Sequence, residues 1–150
     1  MELIKNLMFK LRHIGICVQN LDLMKNFFID NFNCSVKVEQ IEKGKFIDDL
    51  QGRKNVVVTT CKLILDQNPN NIIELLYYKN ESIKKNPIFF NSKGINHYAI
   101  TIKDLDSFYF KMIKKNFKFI TKPIISNDKK AKCTFMYDVE DNLIELVEEL

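Results

Sequence analysis

Arginine is nearly missing from this chain. Of 23 basic residues only Arg12 and Arg53 are arginines, so the planar bidentate group best suited to reading base edges is scarce. Nineteen acidic residues reduce the basic excess to a net charge of +4, spread along the sequence. Such a balance gives no support to nucleic-acid binding. No two cysteines stand in a CxxC pair: Cys17, Cys34, Cys61 and Cys133 are far apart and read as reduced thiols of a cytosolic protein. No apolar run approaches the ~18 residues of a membrane helix. The stretch MELIKNLMFKLRH lacks a long apolar region and a small-residue cleavage site. The expectation is therefore a cytoplasmic protein with no membrane span and no signal peptide. Low-complexity segments are also lacking.

What is present is enough apolar material for a core. Hydrophobic residues make up 46% of 150 and charged residues 28%, a balance suited to a globule of one ordinary domain or two small fused units. The sequence repeats itself. Set LRHIGICVQNLDLMKNFFIDNF (11–32) above GINHYAITIKDLDSFYFKMIKKNF (94–117). His13 falls over His97, Val18 over Ile102, Asn20 over Asp104, Leu21 over Leu105 and Asp22 over Asp106. Each segment reads as a β-branched strand, a cap and a helix. Asn20 or Asp22 caps the first helix, and Asp104 or Asp106 the second. The periodicity puts Phe27, Phe28 and Phe32 on the inner face of one helix and Phe108, Met112 and Ile113 on that of the other.

The ends of the two units match as well. NNIIELL aligns with DNLIELV, placing Asn71 with Asn142 and Glu74 with Glu145. Between helix and last strand each unit has room for two more strands, CSVKVEQI (34–41) and NVVVTTCKLIL (55–65) in the first, FKFITKP (117–123) and KAKCTFMYDV (130–139) in the second. The prediction is an α+β fold of two βαβββ modules in tandem in a single domain over 1–150. Module one covers about 11–78, a polar linker about 79–93, and module two about 94–149.

The chain has only two histidines, and both open a module. Both modules end on a strand with one internal glutamate. Taken singly, each has an ordinary explanation, since a strand histidine often packs in a core and a strand glutamate often faces water. Their agreement across a duplicated unit singles them out. With the two-residue period of a strand, His13 shares a face with Gly15 and Cys17, and His97 with Ala99 and Thr101. Those faces are small and semi-polar, suited to lining a cavity, while the opposite faces are apolar and suited to packing under a helix. His13, Glu74, His97 and Glu145 would make an N2O2 site for one divalent metal: Zn, Ni, Co, Mn or Fe. A dication would also account for glutamates inside otherwise apolar strands, where a bare carboxylate is costly.

At HIGICVQNLD, HYAITIKDLD and the two IEL strands the chain resembles the vicinal oxygen chelate superfamily of glyoxalase, bleomycin-resistance and dioxygenase proteins, from about Leu11 to Val147. Its endings depart from the family's D-x-x-G-N-x-I-E-L: Glu140 and Asp141 precede Asn142, a change in the turn and not in the ligand. The resemblance implies a curved mixed sheet around a metal cavity, with helices on the outer face. It implies the ligand set His13, Glu74, His97 and Glu145, nearest to that of glyoxalase I or methylmalonyl-CoA epimerase types. The implied chemistry is a metal-dependent lyase or isomerase moving a proton beside a metal-bound carbonyl or thioester of a small-molecule substrate. Glu145 is the first choice for the base and Glu74 the second. The resemblance also implies a homodimer. Two other branches stay open: an extradiol-type dioxygenase, and a metal-free ligand-sequestering resistance protein. Cys17 is read as lining. The segment IEKGKFIDDLQGRKN (41–55) is read as a loop near the pocket, whose Lys43, Lys45, Arg53 and Lys54 could meet a phosphate or carboxylate.

Overall fold

The computed structural model describes residues 10–83 and 89–150. Residues 1–9, which carry most of the signal-peptide reading, and 84–88 of the expected linker lie outside them. The chain divides into two compact units, the first ending at Ile83 and the second beginning at residue 84. The first holds β1 (Ile14–Cys17), α1 (Leu21–Phe32), β2 (Ser35–Lys43), α2 (Lys45–Gln51), β3 (Val57–Ile64), a 3₁₀ turn (Leu65–Gln67) and β4 (Ile72–Tyr77). The second holds β5 (His97–Thr101), α3 (Leu105–Lys114), β6 (Ile124–Ile125), β7 (Ala131–Tyr137) and β8 (Leu143–Glu149). Each is the expected βαβββ module, with α2 added in the first. Each forms its own four-stranded mixed sheet, ordered β1-β4-β3-β2 and β5-β8-β7-β6. In both, the module's first strand runs parallel to its last, and the remaining pairs are antiparallel.

The helices start where a side chain can accept the first unpaired amides. Asn20 accepts from Leu23 N and Asp104 from Ser107 N, both at 3.0 Å, which settles the two cap alternatives. Helix α1 buries Leu21, Met24, Phe27, Phe28 and Phe32, with Phe27 edge-on to Phe28 at 5.2 Å between centroids. Beneath it lie Val18, Cys61, Leu63, Ile73 and Leu75, all buried. Helix α3 buries Leu105 and Met112. Ile113, expected on its inner face, is exposed, because it sits ~100° round the helix from Met112.

Two local expectations are corrected. The strand expected over 117–123 is broken: Phe119 makes an isolated bridge to Met136, and pairing resumes only at β6. Pro123 cannot donate to a ladder, and it lies at the break. The stretch 41–55 is not a loop throughout. β2 runs on to Lys43, and α2 follows between Gly44 (φ 90°) and Gly52 (φ 61°), conformations that favour glycine. Ile47 of α2 packs with Val56 and Val58 against Leu76 and Tyr78. Two of its basic residues are engaged with acids, Arg53 with Glu81 at 2.6 Å and Lys45 with Asp49. Among the described residues no helix is long and apolar enough to cross a membrane.

Candidate metal centre

In the first unit β1 and β4 lie side by side with Gly15 opposite Glu74. His13 precedes β1 and shares Gly15's face. A Cβ on Gly15 would meet Leu76 Cδ1 at 3.2 Å. His13 Nε2 stands 3.0 Å from Glu74 Oε2. The second unit repeats the arrangement. Ala99, two residues after His97, lies opposite Glu145 in the β5–β8 register, and His97 Nε2 stands 3.4 Å from Glu145 Oε2. All four residues singled out in the sequence thus fall into two His–Glu pairs built from equivalent register positions. No group of three or more His, Cys, Asp or Glu side chains placed to hold a metal ion occurs among the described residues, so each unit offers a pair.

The ring of His97 is oriented by a chain of hydrogen bonds. Asn96 Nδ2 donates to Phe90 O at 2.7 Å, which turns Asn96 Oδ1 toward His97 Nδ1. That contact holds the ring with Nε2 facing Glu145. Without a metal, each ring nitrogen and carboxylate oxygen stand at the distance of a direct hydrogen bond or ion pair. The separations suit a metal ion. Two ligand atoms each about 2.1 Å from one ion stand about 3.0 Å apart at a right angle and about 3.4 Å apart at the tetrahedral angle. The donor set and both spacings therefore fit a divalent metal.

The two glutamates differ in surroundings. Glu74 is 9% exposed, and its other oxygen, Oε1, lies 3.3 Å from Lys62 Nζ. Lys62 is its register partner on β3. The equivalent partner of Glu145 on β7 is Phe135, whose ring stands edge-on to His97 at 5.2 Å. Lys62 was not singled out from the sequence. The sequence marks it only as the one charged residue inside NVVVTTCKLIL; the β3–β4 register is what places it opposite Glu74.

Three of the four thiols are disfavoured as thiolates by their environment. Burial pushes Cys34 up to about 12 and Cys61 up to about 11. Burial, then the charge of Glu145, raises Cys133. Thiolate is the reactive form, so none of these three is poised as a nucleophile. Cys17 is exposed on the face of Gly15, in keeping with a lining role. The turn before β8 is organised by Asp138, whose Oδ1 accepts from the amides of Glu140 and Asn142 at 2.8 and 2.9 Å. Asp141 takes a left-handed conformation there, φ 65°, at the place where the D-x-x-G-N pattern has glycine. A cleft of about 600 Å³ in the first unit, lined in part by Gln19, Asp22, Glu39, Thr59 and Tyr77, contains neither pair. Tyr77 points away from the face of Glu74, so the cleft and the first pair lie on different faces of the sheet.

The family profile described as the Glyoxalase/Bleomycin resistance protein/Dioxygenase superfamily matches residues 10–146. No curated protein matches the sequence. Among solved structures, a glyoxalase family protein from Bacillus cereus superposes with a TM-score of 0.85 at 19% identity, with 97% of each chain covered. The fosfomycin resistance protein FosX from Listeria monocytogenes, complexed with Mn(II) and sulfate, gives 0.61 at 14% identity, over 96% of this chain and 95% of that one. A glyoxalase I mutant from Zea mays gives 0.66 at 17% identity, over 92% of this chain and 44% of that one. At these identities the likeness establishes the fold.

Proposed function

Because the chain belongs to the glyoxalase/bleomycin resistance protein/dioxygenase superfamily, we propose that it is a metal-dependent lyase or isomerase. Its reaction would transfer a proton at the carbon next to a carbonyl or thioester, as in glyoxalase I-like or epimerase-like members. The observation that carries this reading is the repetition of one His–Glu pair at the same register in both modules, His13–Glu74 and His97–Glu145. Together the pairs supply two imidazoles and two carboxylates, an N2O2 set for one divalent ion. When bound, that ion supplies Lewis acidity to the substrate's carbonyl group.

The chain's own residues do the rest. The histidines hold the ion through Nε2, with His97 aimed by Asn96. Glu145 takes the proton from the carbon and returns it, a role worth roughly 10²–10⁴-fold when a carboxylate is well placed. Its side chain is 28% exposed and its cross-strand partner is the apolar Phe135, so nothing in that partner restrains its motion. Glu74 is the buried member and serves as ligand. The protein acts as a homodimer in the cytoplasm, and the two modules work as one domain.

The test is deuterium exchange from solvent into candidate substrates by metal-loaded protein, with methylglyoxal–thiol adducts and acyl-CoA thioesters in the screen. Exchange should occur with one of them, and Glu145→Gln should abolish it while retaining part of the metal. Oxygen consumption with a catechol, and no exchange with any carbonyl compound, would overturn the reading in favour of a dioxygenase. One observation favours a second reading. Lys62 already compensates Glu74 at 3.3 Å, as it would in a metal-free module that only sequesters a ligand. Elemental analysis of purified protein separates the two, because the binder carries no stoichiometric metal.

A further inference from the structure

We infer that Lys62 is a positioning residue: it occupies one oxygen of Glu74 and so restricts that carboxylate to a single-oxygen contact with a cation held beside His13. The inference rests on the metal reading above and goes beyond it, since it assigns Lys62, outside the four ligands, a part in the coordination.

The geometry divides the carboxylate. Glu74 Oε2 faces His13 Nε2 at 3.0 Å, while Oε1 faces Lys62 Nζ at 3.3 Å. The division is built into the strands. Glu74 is opposite Gly15 on one side and opposite Lys62 on the other, so its two oxygens are claimed from two directions. Both side chains are sheltered, Lys62 at 26% and Glu74 at 12% of side-chain exposure, where a charge pair is screened less than at the surface. In the second unit Phe135 takes the place of Lys62, so Glu145 is under no such restriction from its partner strand.

Two consequences follow. A carboxylate that binds through both oxygens uses two coordination positions, and one held to a single oxygen leaves the second free for a substrate atom. The ammonium also stands one carboxylate away from the ion, and this like charge weakens cation binding. Lys62 thus keeps a coordination position open at the expense of affinity, and it anchors Glu74 as a fixed ligand.

The experiment uses Co(II) with the full chain, comparing wild type, Lys62→Met, Lys62→Gln and Lys62→Arg. Chelator competition reads affinity, and the visible Co(II) absorption reads coordination number. Both neutral variants should bind Co(II) about tenfold more tightly, with weaker visible bands as the coordination number rises. Lys62→Arg, which keeps the charge, should match wild type in both readouts. Co(II) uptake with the same affinity and spectrum in both neutral variants would overturn the inference and leave the metal site standing. Absence of Co(II) uptake by wild type would overturn the metal reading and this inference with it.

Discussion

The Glu74–Lys62 pair makes a sharp prediction about stability in the absence of metal. Replace Glu74 by Gln, Lys62 by Met, and then both, and measure urea unfolding of all four proteins in excess chelator. At the observed 3.3 Å two unit charges attract by on the order of 5 kcal/mol at an effective dielectric constant near 20. Most of that offsets the loss of hydration by two partly buried groups. Lys62 keeps about a quarter of its side chain in water, which screens the pair further. A net coupling of about 1–2 kcal/mol remains, above the usual value for an exposed pair. The two single losses should together exceed the loss of the double variant, since each single change strands the other charge. Lys62→Met should be the costlier single change, because it leaves the more buried partner, Glu74, with only His13. A coupling below about 0.3 kcal/mol would refute the argument that the lysine compensates the buried carboxylate.

Three further outcomes are expected. Phe28→Ala removes a fully buried ring from under α1 and should cost about 3–5 kcal/mol in a chemical denaturation series; a loss under 1 kcal/mol would mean that α1 does not seal this core. Asp104→Ala removes the cap of α3 and should cost about 1 kcal/mol, seen as faster amide exchange at Ser107 and unchanged exchange in α1. Burial holds the Asp138 carboxyl above the usual carboxylate range, with the Asn142 and Glu140 hydrogen bonds opposing. The folded protein therefore keeps a proton that the unfolded chain has released, and stability falls as pH rises from about 4 through the raised value. Relative to Asp138→Asn, wild type should lose ground over that interval when urea midpoints are compared; a difference constant with pH would count against it.

The repeat was legible because each module states it twice, once in local chemistry and once in pattern. Asn20 and Asp104 are caps that any helix of this kind needs, and the alternation through HIGICV and HYAITI shows which side faces a helix. The same alternation put His13 and Gly15 on one face, and the structure pairs that histidine with Glu74. Lys62 was hidden because a lysine in a strand is ordinary until register shows what it faces, and register depends on the partner strand. α2 was hidden behind Gly44 and Gly52, which punctuate a loop and bracket a short helix equally well. The broken strand near Phe119 turned on Pro123, whose missing amide outweighs the strand character of its neighbours. Ile113 missed its face by one position, an error that helical period allows at the end of a ten-residue helix.

The proposed chemistry requires the two His–Glu pairs to act together on one ion. Equilibrium dialysis of purified protein against Zn(II) or Co(II), followed by elemental analysis, counts the ions bound. One ion per chain is expected, whether the pairs meet within a chain or between the chains of a dimer, with loss of most of it in His13→Ala and in His97→Ala alike. Two ions per chain, each lost in only one variant, or metal content unchanged in either variant, would contradict it.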